Sequence, residues 1–113
     1  TQLVARLQQQ IVSGVYPPGS KPPSVRELAA DAGANPNTVQ RAFAELERAG
    51  LIYTQRTAGK FVTEDAAAVA AARRSLAEAQ TRQYLAAMRA LGCGKQEIHN
   101  LFDQMEEQEH ADL

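Results

Sequence analysis

The strongest constraint on this chain lies between Ser24 and Ile52. Ser24-Val25-Arg26-Glu27-Leu28-Ala29 opens a helix with a capping box, because Ser24 and Glu27 stand three residues apart and can each accept the other's backbone N–H. With Val25, Leu28, Ala29 and Ala32 turned inward, that helix lasts about two turns before Gly33. Asn35-Pro36 then starts a second helix: Asn accepts at the N-cap, and Pro at the first helical position gives up no needed donor. It runs to Ala49, Gly50 closes it, and Leu51-Ile52 begins a strand. Two short helices joined by so tight a turn meet at a sharp angle and leave a row of polar side chains outward.

The flanks fit around this unit. Leu3, Leu7 and Ile11, with Val4 and Val12 beside them, recur at helical spacing until Gly14, and Pro17-Pro18-Gly19-Ser20 is a turn by composition. Leu51–Gln55 and Lys60–Thr63 read as two strands joined at Arg56-Thr57-Ala58-Gly59. From Ala66 to Leu91 no Gly or Pro interrupts an Ala-rich run, which predicts a long helix of about 39 Å. Its stripe is Val69, Leu76, Tyr84, Ala87 and Leu91, widened by Leu85 and Met88. After Gly92-Cys93-Gly94, a last amphipathic helix carries Ile98, Leu101, Phe102 and Met105 on one face. The acidic tail from Glu106 to Leu113 opposes the helix dipole and is expected to fray.

Composition narrows the class. With 113 residues, 44% apolar and no Trp, the core is modest, which favours oligomerisation. No apolar run is long enough to span a bilayer and no secretory signal is seen, so no membrane partner is expected. The single cysteine, Cys93, rules out an internal disulfide and fits a cytoplasmic location. Thr1 stands inside a helical pattern with no initiating Met, so the natural N-terminus is expected upstream. The net charge of −1 conceals an asymmetry: residues 1–62 hold seven Lys/Arg against four acids (+3), and residues 63–113 hold five against nine (−4). A basic half suits a polyanion, although scatter of this size is ordinary and decides nothing alone.

The outward face carries the chemistry. At 100° per residue, Val39, Ala42, Phe43 and Leu46 cluster on one side of the Pro36–Ala49 helix. Opposite lie Asn37, Arg41, Ala44 and Arg48, flanked by Thr38 and Gln40, with Glu45 and Glu47 toward the shoulders. Amides and guanidinium groups pair bidentately with adenine and guanine edges, and a small Ala permits close approach or contact with a thymine methyl. The helix pair matches a helix-turn-helix, and the hairpin would be the wing of a winged variant. Arg56 and Lys60 flank its tip, as suits an element lying along a phosphate backbone. A polar face on one helix is usually only solvated; the ordered set of capped helix, Gly turn, Asn-Pro cap and hairpin shifts the balance.

These residues resemble the winged-helix domain of GntR-family bacterial transcription regulators. Pro18-Gly19, Pro23 to Ala29, Thr38-Val39, Leu46, Gly50-Leu51-Ile52 and Gly59-Lys60-Phe61-Val62 follow that family's signature. Asn35-Pro36-Asn37-Thr38-Val39, Glu45-Leu46-Glu47 and a tail of only two helices are similar to its YtrA-type subfamily. The resemblance implies that Arg26 reads bases and that the hydroxyls of Ser24 and Thr38 contact phosphate. It also implies that Asn35, Asn37, Gln40 and Arg41 are the first-turn residues of a recognition helix; Thr57 and Gly59 join Arg56 and Lys60 in the expected wing contact. Pro22 replaces a usual Leu, Thr57 replaces a usual wing Gly, and Pro36 and Gln40 replace arginines common outside the subfamily. Control of transporter operons is a further implication of the resemblance.

The fold expected is therefore mainly α with a small β-hairpin: a winged helix-turn-helix DNA-binding domain in residues 1–63 and a two-helix dimerisation module in residues 64–113. Two helices cannot enclose a ligand cavity of the usual ~300–1,000 Å³. Their stripes (Val69, Leu76, Tyr84, Leu85, Met88, Leu91, Ile98, Leu101, Phe102, Met105) call for a second copy. A two-fold pair would present its recognition helices about one DNA turn, ~34 Å, apart on a (pseudo)palindromic operator. The expected partners are double-stranded DNA and a second copy, with an unidentified small-molecule effector left open. Cys93 between two glycines suits a tight turn better than a redox or metal sensor, for want of a resolving cysteine. His99 and Glu106 lack a third convergent ligand, so no metal or cofactor is expected. No nucleophile–base pattern or Gly-rich phosphate loop supports an enzyme. A winged helix that grips protein instead of DNA is the competing class, distinguished by its weak salt dependence.

Overall fold

The structure is a computed structural model that describes residues 2–111. Five helices and one hairpin follow in the order α1 (Gln2–Val12), α2 (Val25–Ala32), α3 (Pro36–Arg48), β1 (Ile52–Gln55), β2 (Gly59–Val62), α4 (Ala66–Ala90) and α5 (Lys95–Ala111). The chain divides inside α4 into two compact units, Thr1–Leu76 and Ala77–Leu113.

The first unit is built on α3. Its apolar side, Val39, Ala42, Phe43 and Leu46, is buried to 2% exposure or less. Around it lie Val4, Leu7 and Ile11 of α1, Leu28 of α2, and Leu51, Ile52 and Val62 of the hairpin region. In α1 the buried series starts at Val4, with Leu3 only half-buried. Truncating a fully buried side chain such as Leu46 to Ala costs about 2–5 kcal/mol.

Local chemistry sets the helix ends. The Glu27 N–H donates to Ser24 Oγ at 3.1 Å, and the Ser24 N–H donates to Glu27 Oε1 at 3.3 Å. Gly33 stops α2 in the left-handed region at φ +61°, a conformation that disfavours a Cβ. Ala32, expected inward, is exposed; it is the last residue of α2, where the chain already turns away at Gly33. At α3 the Asn37 N–H donates to Asn35 Oδ1 at 2.8 Å, with Pro36 at the first helical position.

The hairpin is antiparallel with register Ile52↔Val62, Tyr53↔Phe61, Thr54↔Lys60 and Gln55↔Gly59. It differs by a residue at several ends from the expected strands. Gly59 belongs to β2, and Leu51 and Thr63 lie outside the strands, although the Thr63 N–H still donates to the Leu51 carbonyl at 2.9 Å. Asp65 caps α4 by accepting the Ala67 N–H at 3.0 Å. Val69 and Ala72 of α4 then pack against the core of the first unit.

In the second unit Ile98 is buried, and Leu85, Met88, Cys93 and Leu101 are half-buried. Tyr84, Phe102, Met105 and Leu91 are exposed, Leu91 to 78%. What the two helices form is an open apolar groove of about 500 Å³, floored by Tyr84, Met88, Leu101, Phe102 and Met105 and edged by Glu106 and Glu109. The tail expected to fray is helical through Ala111, with His110 Nε2 lying 3.6 Å from Glu106 Oε2; Asp112 and Leu113 fall outside the described residues. No helix among the described residues is long and apolar enough to cross a membrane.

Candidate nucleic-acid interface

The face of α3 opposite the core is where polar side chains gather. Asn37, Thr38, Gln40, Arg41, Ala44 and Arg48 are all exposed, as the 3.6-residue period requires once Val39, Ala42, Phe43 and Leu46 turn inward. Among the described residues, the side chains of Asn37, Thr38, Gln40 and Arg41 make no hydrogen bond or ion pair. Their donors and acceptors are therefore unspent. Asn35 differs: its Oδ1 is committed to the cap, which leaves only its NH₂ free to donate.

On α2, Arg26 is exposed and also unpaired among the described residues. Ser24 accepts the Glu27 N–H through its oxygen and keeps its own hydroxyl hydrogen to give. The wing tip exposes Arg56 and Thr57, and Gly59 adopts φ +98°, a region that side chains with a Cβ rarely enter. Tyr53 and Phe61, cross-strand partners, stack with ring centroids 5.7 Å apart.

Lys60 already has partners within the protein. Rather than standing as a free cation at the wing tip, it donates to Glu47 Oε1 at 2.6 Å and to Thr54 Oγ1 at 3.2 Å. The Thr54 hydroxyl also donates to Glu47 Oε1. The bonds from Lys60 and then Thr54 hold the Glu47 carboxyl below the usual carboxylate range, against a smaller opposing effect of desolvation. The strand register explains this arrangement. Residues two apart share a face, so Lys60 falls on the same face as the buried Val62 and points toward α3. Counting back by two from Val62 would have found it.

Sequence reasoning also passed over Lys21. Its ammonium lies 5.6 Å from the centroid of the Phe61 ring. Its position just before Pro22-Pro23 was the available signal.

The candidate dimer-contact residues of α4 and α5 are not all on one free face. Val69 packs on the first unit's core and Ile98 is buried, whereas Tyr84, Met88, Leu101, Phe102 and Met105 share the groove. Cys93 is half-buried, and desolvation, reinforced by the Glu97 carboxylate, pushes its thiol above the ordinary value, opposite to what a sensor thiolate needs. No cluster of metal-ligating side chains occurs among the described residues.

This geometry has counterparts among known proteins. Residues 1–62 match the family model described as bacterial regulatory proteins, gntR family. The chain belongs to that family. As GntR-family members are, it is a DNA-binding transcription regulator and not an enzyme. This GntR chain is 46% identical over 65 residues to the HTH-type transcriptional repressor YtrA of Bacillus subtilis, an alignment covering 58% of the chain and 50% of YtrA. It thus spans half the length of that repressor. The transcriptional regulator YhcF of the same organism is 35% identical over 97 residues, which cover 86% of this chain and 80% of YhcF. A solved GntR-family regulator from Listeria monocytogenes superposes with a TM-score of 0.83 and 39% identity, covering 91% of this chain and 90% of that one.

Proposed function

We propose that this chain acts in the cytoplasm as a homodimeric repressor that occupies a (pseudo)palindromic operator. The face of α3 carries the proposal: its inner side is locked into the core, so Asn37, Gln40 and Arg41 are held rigidly outward with nothing in the described protein to satisfy them. Unsatisfied amide and guanidinium groups on a fixed helix suit base edges in the major groove. Arg26 reads alongside them, while Ser24, Thr38, Asn35 and the wing residues Arg56, Thr57 and Gly59 lie against the sugar–phosphate backbone. The second copy joins through Tyr84, Leu85, Met88, Leu91, Leu101, Phe102 and Met105, an apolar set too large to leave in water comfortably. Glu106 and Glu109 stay at the solvated rim. Repression by occupancy is supported by the name of YtrA, and a transporter operon by the subfamily resemblance.

The test uses duplex DNA selected by the wild-type protein from a random pool. Wild-type affinity falls steeply with salt. Arg26→Ala and Arg41→Ala each weaken binding by about 1–3 kcal/mol. If both variants bind like wild type, these arginines do not read bases.

A further inference from the structure

The geometry points to Lys21, not Lys60, as the wing-side cation that grips a DNA phosphate, with Glu47 as the positioning residue that keeps Lys60 turned inward. This rests on the proposal that α3 and the wing dock on DNA.

The hairpin gives the two lysines different partners. Lys60 shares the inner face with Thr54 and Val62, whereas Phe61 lies on the outer face with its partner Tyr53. Lys60 gives two of its three N–H donors to Glu47 and Thr54, and the Glu47 carboxylate offsets its charge. Its ammonium also lies 5.9 Å from the centroid of the buried Phe43 ring. To meet a phosphate it would have to break a 2.6 Å ion pair and leave Glu47 facing the same anion.

Lys21 has none of these ties. Among the described residues no carboxylate pairs with it, and its contact is with the flat face of Phe61. An aromatic face accepts no conventional hydrogen bond from the ammonium, so all three donors remain for an oxygen acceptor. Pro22 restricts the backbone at Lys21, and the ammonium stands 3.9 Å from where a Cβ on Gly59 would lie. Lys21, Ser24, Gly59 and Lys60 line a shallow groove of about 280 Å³ between the start of α2 and the wing. A backbone phosphate entering it meets the Lys21 ammonium and the Ser24 hydroxyl, while the Lys60 ammonium on its wall stays paired with Glu47.

The experiment measures binding to a random-sequence duplex as a function of salt, with the full chain. Lys21→Gln lowers the slope of log affinity against log salt by about 1, the loss of one phosphate contact, and Lys21→Arg restores it. Lys60→Gln leaves the slope at the wild-type value. Glu47→Gln releases Lys60 and steepens the slope, an effect that loss of wing stability alone would not produce. The inference is overturned if Lys60→Gln flattens the slope as much as Lys21→Gln, if Lys21→Gln leaves it unchanged, or if Glu47→Gln does not steepen it. The underlying proposal fails separately: in that case the wild type shows no salt-dependent duplex binding and Arg41→Ala binds the selected DNA like wild type.

Discussion

A single carboxylate decides how the wing meets the recognition helix. Glu47 stands one residue before the end of α3, and Thr54 and Lys60 of the two strands both donate to it. Because the folded state depresses its pKa, the unfolded chain takes up protons first as the pH falls. The stabilisation from Glu47 is therefore complete above the ordinary carboxylate range and is lost as the pH drops through the lowered folded value. Glu47→Gln removes the titrating group. Thermal melts across pH should show wild type more stable than the variant near neutrality, with the gap closing under acidic conditions. A gap independent of pH would mean that the contact does not depend on the carboxylate's charge.

At the scale of elements, the start of α2 is secured by a reciprocal cap whose two hydrogen bonds are both present. Ser24→Ala should lower stability by about 1 kcal/mol, read from denaturant midpoints at an unchanged m-value. A Ser24→Asp variant keeps a capping oxygen, so it should recover most of that loss while adding a negative charge where a phosphate would sit.

The elements that could be read in advance are those with chemical punctuation. Ser24…Glu27, Gly33 and Asn35-Pro36 each fix a backbone conformation locally, so α2 and α3 were legible to within a residue. The inner side of α3 followed from period alone. The strands were less legible because pairing register belongs to two segments at once, and a one-residue offset moved Gly59 into β2. The pairing of Lys60 with Glu47 was hidden for the same reason: at a loop tip any lysine looks free until its strand face is known. In α4, an Ala-rich composition makes helix certain and direction vague. Toward its end Leu85 and Met88 are half-buried, whereas Tyr84 and, just past the helix, Leu91 are exposed. Nothing local in the chain could announce that Val69 would be taken up by the first unit's core.

At the scale of the whole molecule, the proposed pairing of two copies concentrates on the α4–α5 groove. Phe102 is 57% exposed and lines that groove with Met105 and Tyr84. Phe102→Glu places a charge there at little expense to the subunit's own fold, since the ring is not part of the buried core. Sedimentation should show wild type as a dimer at micromolar concentration and Phe102→Glu as a folded monomer, with DNA affinity reduced as bivalency is lost. A wild-type monomer would remove the dimer from the account. The most direct test of the central claim, that the outward face of α3 reads sequence, is selection from a fully randomised duplex pool with wild type and Arg41→Ala in parallel. Wild type should yield a two-fold symmetric motif, and Arg41→Ala the same motif with preference erased at one position in each half-site. Identical motifs from the two proteins, or no motif from wild type, would contradict that claim.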